Sequence, residues 1–418
     1  MSHLLRAPPL VLAGLVRALE AQATWSPERR TVWTDRRLRG RIRLARRVAA
    51  WSGRIPSSAR GLSELSQVPT SQRSDLTDPA AWADPRIPGA LLRAASSSGS
   101  TGRPVTVLRD PSSVLAEEAF VRRHLRAFGV TGDEPAISLR ADGHLDPAAP
   151  VFWTDPSRRD TVAVPASRLD DRATRAIVAR GVACGVGILR GYPSALLELA
   201  RRIEALDLGA TLARWPLRVL HTSSETLSEG AEARLRAVFG VPVADHYGQV
   251  ERALLIQSCP AGARHLVADY AVPEVIAGQW AGTPLFGRGA VLLRYLTGDD
   301  AGDRTDGPCP CGWTFPIVPR VSGRADDVVV TTDGRRIGRL GPAWGSLRGL
   351  EQVQVEQTDP DRLLVRVLPR DVPTDLLARL EARLEALLAD PGMTLALEPA
   401  EPVRGPGGKV RAVLGLRA

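Results

Sequence analysis

Over residues 1–60, apolar positions recur at helical spacing among many arginines, which predicts helices with Trp25, Trp33 and Trp51 as packing anchors. A polar stretch, Gln67 to Asp78, leads to a Ser/Gly-rich loop at 96–104. The pattern turns helical again from Val114 to Gly129, where Leu115, Phe120, Leu125 and Phe128 share a face. Gly191-Tyr192-Pro193 interrupts the chain ahead of an amphipathic helix over Ser194 to Leu206. Leu217–Leu220 and Val241–Ala244 read as short buried strands, with a helix from Ser228 to Phe239 between them. Strand, helix, strand in that order predicts a parallel α/β sheet. Past Gly323 the pattern changes to β-like runs at 328–332, 352–356 and 363–368, a strongly periodic helix over Thr374–Leu388, and further β-like runs at 394–397 and 410–414. The fold class is therefore α/β, with a large N-terminal α/β domain over 1–323 and a small α+β domain over 324–418.

Composition narrows the class without changing it. At 418 residues, 44% hydrophobic and 24% charged, the chain is neither disordered nor fibrous. No run reaches the roughly 18 uncharged apolar residues of a membrane span. The apolar stretch Pro8–Val16 is short, and Arg17 and Glu20 follow it where a cleavable signal peptide carries no charge. A cytoplasmic protein with no membrane partner is expected. A net charge of +9 would suit a polyanion binder, yet every basic residue except Lys409 is arginine, and the arginines are scattered. A coding bias explains that pattern, so no nucleic-acid partner is expected.

Four cysteines stand at 184, 259, 309 and 311. Cys309 and Cys311 are too close for an easy mutual disulfide, which makes metal binding the better reading of that pair.

Three segments carry candidate chemistry. Ser96-Ser97-Ser98-Gly99-Ser100-Thr101-Gly102-Arg103-Pro104 is dense in hydroxyl and amide donors, as a polyphosphate cradle or a flexible linker would be. It lacks the terminal Gly-Lys-Ser/Thr of a P-loop. Asp245-His246-Tyr247-Gly248-Gln249-Val250-Glu251 follows a predicted strand, where open α/β sheets bind ligands. There Tyr247 offers an aromatic face for a purine and Glu251 a hard oxygen for Mg²⁺; the bland alternative is a surface loop. Arg294-Tyr295-Leu296-Thr297-Gly298-Asp299-Asp300 follows an apolar run, Val291–Leu293, read as a strand. Asp299 is suited either to the two hydroxyls of a ribose or to a plain turn.

In this order and spacing, the three segments resemble the motifs of the adenylate-forming ligase (acyl-CoA synthetase) superfamily, nearest its phenylacetate–CoA ligase and CapK-like branch. The loop at 97–104 is similar to that family's Ser-Ser-Gly-Thr-Thr-Gly-Lys-Pro, with Ser100 and Arg103 as substitutions. Tyr247–Glu251 is similar to Tyr-Gly-x-Thr-Glu apart from Val250, and Tyr295–Asp299 to Tyr-x-Thr-Gly-Asp. Gly-Arg-x-Asp-Asp stands at Gly323–Asp327, and a terminal Gly-Lys at Gly408-Lys409. Softer matches are Gly191-Tyr192-Pro193-Ser194 and Thr222–Leu227, and the resemblance spans roughly 60 to 418.

The resemblance implies a two-step ligase. A carboxylic acid, aromatic by analogy with that branch, attacks ATP to give an acyl-adenylate and pyrophosphate, and CoA, a carrier-protein thiol, an amine or a hydroxyl then displaces AMP. Ser97, Ser98, Gly99, Ser100, Thr101, Gly102 and Arg103 would hold the β- and γ-phosphates. Ser224, Glu225, Asp245 and Tyr247 would frame the adenine, Gly248 would also belong to the nucleotide site, Glu251 would bind Mg²⁺, and Asp299 with Arg324 the ribose. Asp326 would be the hinge of a mobile C-terminal cap, the active site lying where cap and core meet. Lys409 would be the cation of the adenylation step. A place in biosynthesis and a homodimer are compatible with the resemblance.

Cys259, His265, Cys309 and Cys311 complete a closed tetrahedral Cys₃His set, which reads as a structural zinc site. Members of this branch carry comparable sets; the alternative is a group of unligated cysteines. Two rival functions remain: adenylyl transfer onto a non-carboxylate acceptor, and a degenerate nucleotide-binding scaffold, for which Val250 is the hint.

Overall fold

The structure is a computed structural model that describes residues 9–96, 105–140, 151–154, 161–166, 169–321, 328–337, 340–405 and 409–416. The chain divides into two compact units, Met1–Gly132 with His246–Pro319, and Asp133–Asp245 with Arg320–Ala418.

In the first unit the N-terminal helices form as their sequence predicts. The helix Pro27–Ala45 starts with Pro at its first turn and a Ser26 cap that accepts from the Arg29 amide. The helix Pro111–Ala127 starts the same way, with Asp110 accepting from the amides of Ser112 and Ser113. Its buried face, Ala116, Ala119 and Phe120, meets Leu12, Val16 and Leu19 of the helix Pro9–Ala23. The polar stretch 67–78 is less of a linker than its composition suggests: Val68, Ser71 and Leu76 are buried in the core.

Two antiparallel layers complete this unit. Ala271–Ile276, Gln279–Pro284 and Tyr295–Asp300 form a three-stranded sheet. Leu255–Ser258 pairs with Arg264–Leu266, which pairs in turn with Ile317–Val318. Val291–Leu293, read from sequence as a strand, is fully buried but irregular. Its backbone is satisfied by other means: Trp51 Nε1 donates to the Val291 carbonyl at 2.7 Å, and Ser71 Oγ to that of Leu293 at 2.9 Å. The strand starts two residues later, at Tyr295, so the Tyr-x-Thr-Gly-Asp motif lies within a ladder.

The second unit holds the parallel sheet. Ala136–Arg140 lies between Thr161–Pro165 and Ile188–Gly191, and Ile188–Gly191 pairs parallel with Val219–Ser223. The helices Asp171–Ala183, Pro193–Ala205 and Glu229–Phe239 cover it, burying Ile177, Leu196, Leu199 and Leu235 with Ile137 and Leu189. The residues 329–413 close a core of their own. There Gln352–Asp359 pairs with Arg362–Leu368, and the helix Thr374–Leu388 presents Leu376, Leu380, Leu384 and Leu388 at intervals of one turn. The last strand is shorter than expected, Val413–Leu414 instead of 410–414, because the Val410 amide bonds to a side chain.

The strand Val243–Gly248 carries the chain from the second unit into the first. It runs four residues further than its apolar pattern predicts, so Asp245 and Tyr247 are strand residues and not a following loop. Among the described residues no helix is long and apolar enough to cross a membrane.

Candidate active site and metal centre

In the first unit, strand ends bring three motif positions together. Tyr247 Oη donates to Asp299 Oδ2 at 2.6 Å and accepts from Gln249 Nε2 at 2.6 Å. Burial, reinforced by the Asp299 charge, pushes the Tyr247 phenol well above its ordinary range, so it stays a donor. The Asp299 amide donates to Thr297 Oγ1, whose hydroxyl donates to the Trp280 carbonyl. Asp299 is thus fixed on both its backbone and its side chain. Two residues past Gln249, Glu251 is buried and accepts from Tyr295 Oη at 2.9 Å. The carboxylate is a hard oxygen donor held in one orientation, which fits a Mg²⁺ ligand. Val250, between them, packs against the apolar core.

The functional signal of Tyr295 and Gln249 was missed from sequence. Both lie inside quoted motifs, and their polar ends become informative only once Asp299 and Glu251 are placed beside them.

In the second unit, the parallel strands Ile188–Gly191 and Val219–Ser223 end in register, with Gly191 opposite Thr222. The segments Tyr192–Ser194 and Ser224–Thr226 therefore leave the sheet side by side at its carboxyl end. Ser224 takes a positive φ of 71°, a conformation that favours glycine, so this turn holds local strain. Glu225 is half-buried and accepts from the Ser194 amide and hydroxyl, both at 3.0 Å, and from the Val410 amide at 2.8 Å. Its pKa is raised by withdrawal from water, against the pull of those donors. Thr222 Oγ1 donates to Asp245 Oδ1 at 2.7 Å. Lys409 Nζ lies 5.3 Å above the centroid of the Tyr192 ring, a cation–π distance. Ser97 to Arg103, Arg324 and Asp326 lie outside the described residues. The strands flanking the Ser/Gly loop, Arg93–Ser96 and Thr106–Arg109, pair antiparallel with Ser96 opposite Thr106.

The cysteine set converges as its spacing predicts. One donor atom from each of Cys259, His265, Cys309 and Cys311 lies within 4.8 Å of all the others. Zn–S and Zn–N bonds of about 2.3 and 2.0 Å place two sulfurs about 3.8 Å apart, and a sulfur and a nitrogen about 3.5 Å apart, around a tetrahedral ion. Cys259 Sγ and Cys309 Sγ are 3.7 Å apart, and Cys311 Sγ and His265 Nε2 are 3.4 Å apart. The thiols come from two matching turns, Cys259-Pro260-Ala261-Gly262 and Cys309-Pro310-Cys311-Gly312. In each, the Gly amide donates to the Cys carbonyl at 2.9 Å, and the glycine takes a φ of +84° or +82° that side-chain residues rarely adopt. His265 Nδ1 lies 3.1 Å from the Phe315 carbonyl, which can only accept. The proton is therefore on Nδ1, and Nε2 keeps its lone pair for a metal. Burial pushes the Cys311 thiol up to about 12 and holds the imidazole below its ordinary value.

No protein-family model matches the sequence, and neither does any curated protein sequence. Solved structures do match. A 2-hydroxyisobutyryl-CoA ligase in the postadenylation state, in complex with R3-HIB-AMP, is 18% identical with a TM-score of 0.64, the match covering 98% of this chain and 90% of that one. An open conformation of that ligase, in complex with 2-HIB-AMP and CoA, is 17% identical with a TM-score of 0.63, covering 88% of this chain and 92% of that one. An anthranilate CoA ligase in complex with anthranoyl-AMP is 14% identical with a TM-score of 0.50, covering 76% of this chain and 65% of that one. The chain has the fold of the adenylate-forming CoA ligases.

Proposed function

We propose that the chain is an ATP-dependent ligase that activates a carboxylic acid as its acyl-adenylate, releases pyrophosphate, and passes the acyl group to CoA or another nucleophile. One conjunction carries the reading. Nearly the whole chain takes the fold of a ligase solved with an acyl-AMP, and the motif residues Tyr247 and Asp299 meet within it at 2.6 Å.

In the first step a carboxylate oxygen bonds to the α-phosphorus of ATP, while the bond to the bridging oxygen of pyrophosphate breaks. In the second, the nucleophile attacks the acyl carbon and AMP leaves. Transfer at phosphorus, with charge growing on the transferring phosphoryl oxygens, occurs in the first step only, and Lys409 is the cation assigned to stabilise it. Asp299, oriented by the Tyr247 phenol, and Arg324 are assigned to the ribose. Ser224, Asp245 and Tyr247 are assigned to the adenine, Gly248 to the nucleotide site, and Ser97–Arg103 to the β- and γ-phosphates. Glu251, oriented by Tyr295, would ligate Mg²⁺, which when bound neutralises phosphate charge. Because Val250 turns methyl groups into the core where the family motif has a hydroxyl, one phosphate contact is absent.

The finer parts of this proposal are a phenylacetate–CoA ligase or CapK-like specificity for an aromatic acid, a mobile cap over 324–418 hinged at Asp326, a biosynthetic role, and a structural zinc on Cys259, His265, Cys309 and Cys311. The separate core of residues 329–413 supports the cap, and the tetrahedral donor spacing supports the zinc.

The fate of AMP tests the reaction class. With a competent acid and CoA, free AMP and pyrophosphate are expected in equal amounts, matched by thioester. AMP recovered covalently on a non-carboxylate acceptor would replace this reading with adenylyl transfer.

A further inference from the structure

The turn that carries Lys409 is anchored at its base. Arg404 and Val410 form an antiparallel bridge, and the Gly405 amide donates to the Lys409 carbonyl at 2.8 Å. Fully buried Gln354 donates to the carbonyls of Val403 and Arg411, both at 2.9 Å, and accepts from the Val403 amide at 2.7 Å. Both legs of the turn are therefore fixed to the strand Gln352–Asp359.

A second anchor comes from the parallel-sheet region, through Glu225. Its Oε2 accepts from the Ser194 amide, and its Oε1 from the Ser194 hydroxyl and the amide of Val410, the residue next to Lys409. Arg404 Nη1 donates to the same Ser194 hydroxyl at 3.1 Å. Ser194 lies in the first turn of the helix Pro193–Ala205, where a carboxylate meets the positive end of the helix dipole.

We infer that Glu225 is a positioning residue, a latch that holds the Lys409 turn in place while the adenylate forms and releases it afterwards. The inference rests on the reading of Lys409 as the adenylation cation. Sequence resemblance placed Glu225 beside the adenine, yet both of its oxygens are engaged by protein donors. The bond to Val410 fixes backbone, which aims the neighbouring ammonium without occupying it.

The two sets of partners differ in how easily they part. Ser194 is fully buried, so its two bonds to Glu225 persist. Val410 and Arg404, the two donors on the turn that reach this pair, belong to half-buried residues at the solvent side, where water can replace the carboxylate and hydroxyl they leave. A fixed keeper and a releasable bolt are what a reversible latch requires.

Hydrogen exchange and the two half-reactions test this together. In Glu225→Ala, amide exchange across 403–411 should accelerate about tenfold, the loss expected of one charge-assisted hydrogen bond, with the helix Thr374–Leu388 as an unchanged reference. Adenylation, read as ATP–pyrophosphate exchange, should fall about tenfold further than thioester formation from supplied acyl-adenylate. Glu225→Gln keeps the size and one acceptor; it should show the same split at smaller amplitude, and it serves if the alanine variant misfolds. Unchanged exchange across 403–411 overturns the latch whatever the activity does. Faster exchange with equal losses in both half-reactions overturns the positioning role and is what direct adenine contact predicts. A wild type that exchanges no pyrophosphate with any acid removes the functional reading, while the hydrogen-exchange arm still decides the latch.

Discussion

Lys409→Ala is expected to lower adenylate formation by about 10²- to 10³-fold, the loss typical of removing one preorganised group that stabilises transition-state charge. Thioester formation from supplied acyl-adenylate should change little, because no group is transferred at the α-phosphorus in that step and AMP departs as a stable phosphate monoester. Lys409 is the single lysine of the chain, in a sequence that otherwise uses arginine for every base. An ammonium is compact with rotatable donors, whereas a guanidinium is a planar fork. Lys409→Arg should therefore recover only part of the activity despite keeping the charge. The ammonium lies over the Tyr192 ring, on a turn fixed by Gln354 and Glu225, so little reorganisation accompanies its use. Single-turnover measurement of each half-reaction separates the outcomes. Equal losses in both would remove Lys409 from the adenylation step.

Cys309→Ser is expected to lose zinc and to melt roughly 5 °C below wild type, since metal binding to a site formed only in the folded chain adds directly to folding free energy. Cys309 and Cys311 belong to one turn, while Cys259 and His265 sit on the neighbouring antiparallel hairpin. The site thereby cross-links the turn to the hairpin beside it, where His265 already meets the Trp313 ring and the Phe315 carbonyl. Metal analysis beside a thermal melt reads both quantities, and chelation of the wild type should reproduce the lower melting temperature. Full zinc occupancy in Cys309→Ser would dismiss the Cys₃His site. So would a melting temperature indifferent to chelation.

Legibility in the sequence followed the physics of each element. The helix Thr374–Leu388 was readable because its four buried leucines repeat at one-turn spacing, and that face has a single way to be buried. The strands flanking Glu229–Phe239 were readable as short apolar runs on either side of a helical pattern. Val291–Leu293 carries the same apolar signature yet forms no ladder, because Trp51 and Ser71, more than two hundred residues away, satisfy its carbonyls. Nothing local distinguishes the two cases. Gln279–Pro284 was overlooked for the opposite reason: it is buried nearly throughout, so the polar–apolar alternation of a half-exposed strand is absent.

The candidate site divides in the same way. Tyr247, Glu251, Asp299 and the metal set stood out because unusual residue types recur at recognisable spacing. Roles created by contact left no such mark. Glu225 reaches Val410 across 185 positions, and Arg123 pairs with Asp269 inside the core at 2.6 Å where each looks like an ordinary solvated charge in sequence.

In the function proposed above, everything depends on this chain making an acyl-adenylate. ATP–pyrophosphate exchange against separate pools of aryl, amino and aliphatic carboxylic acids tests it most directly, since exchange requires reversible formation of that intermediate and no later step. Mg²⁺-dependent exchange is expected with one pool, the aryl acids first. Silence from every pool, with ATP binding still measurable, would contradict it.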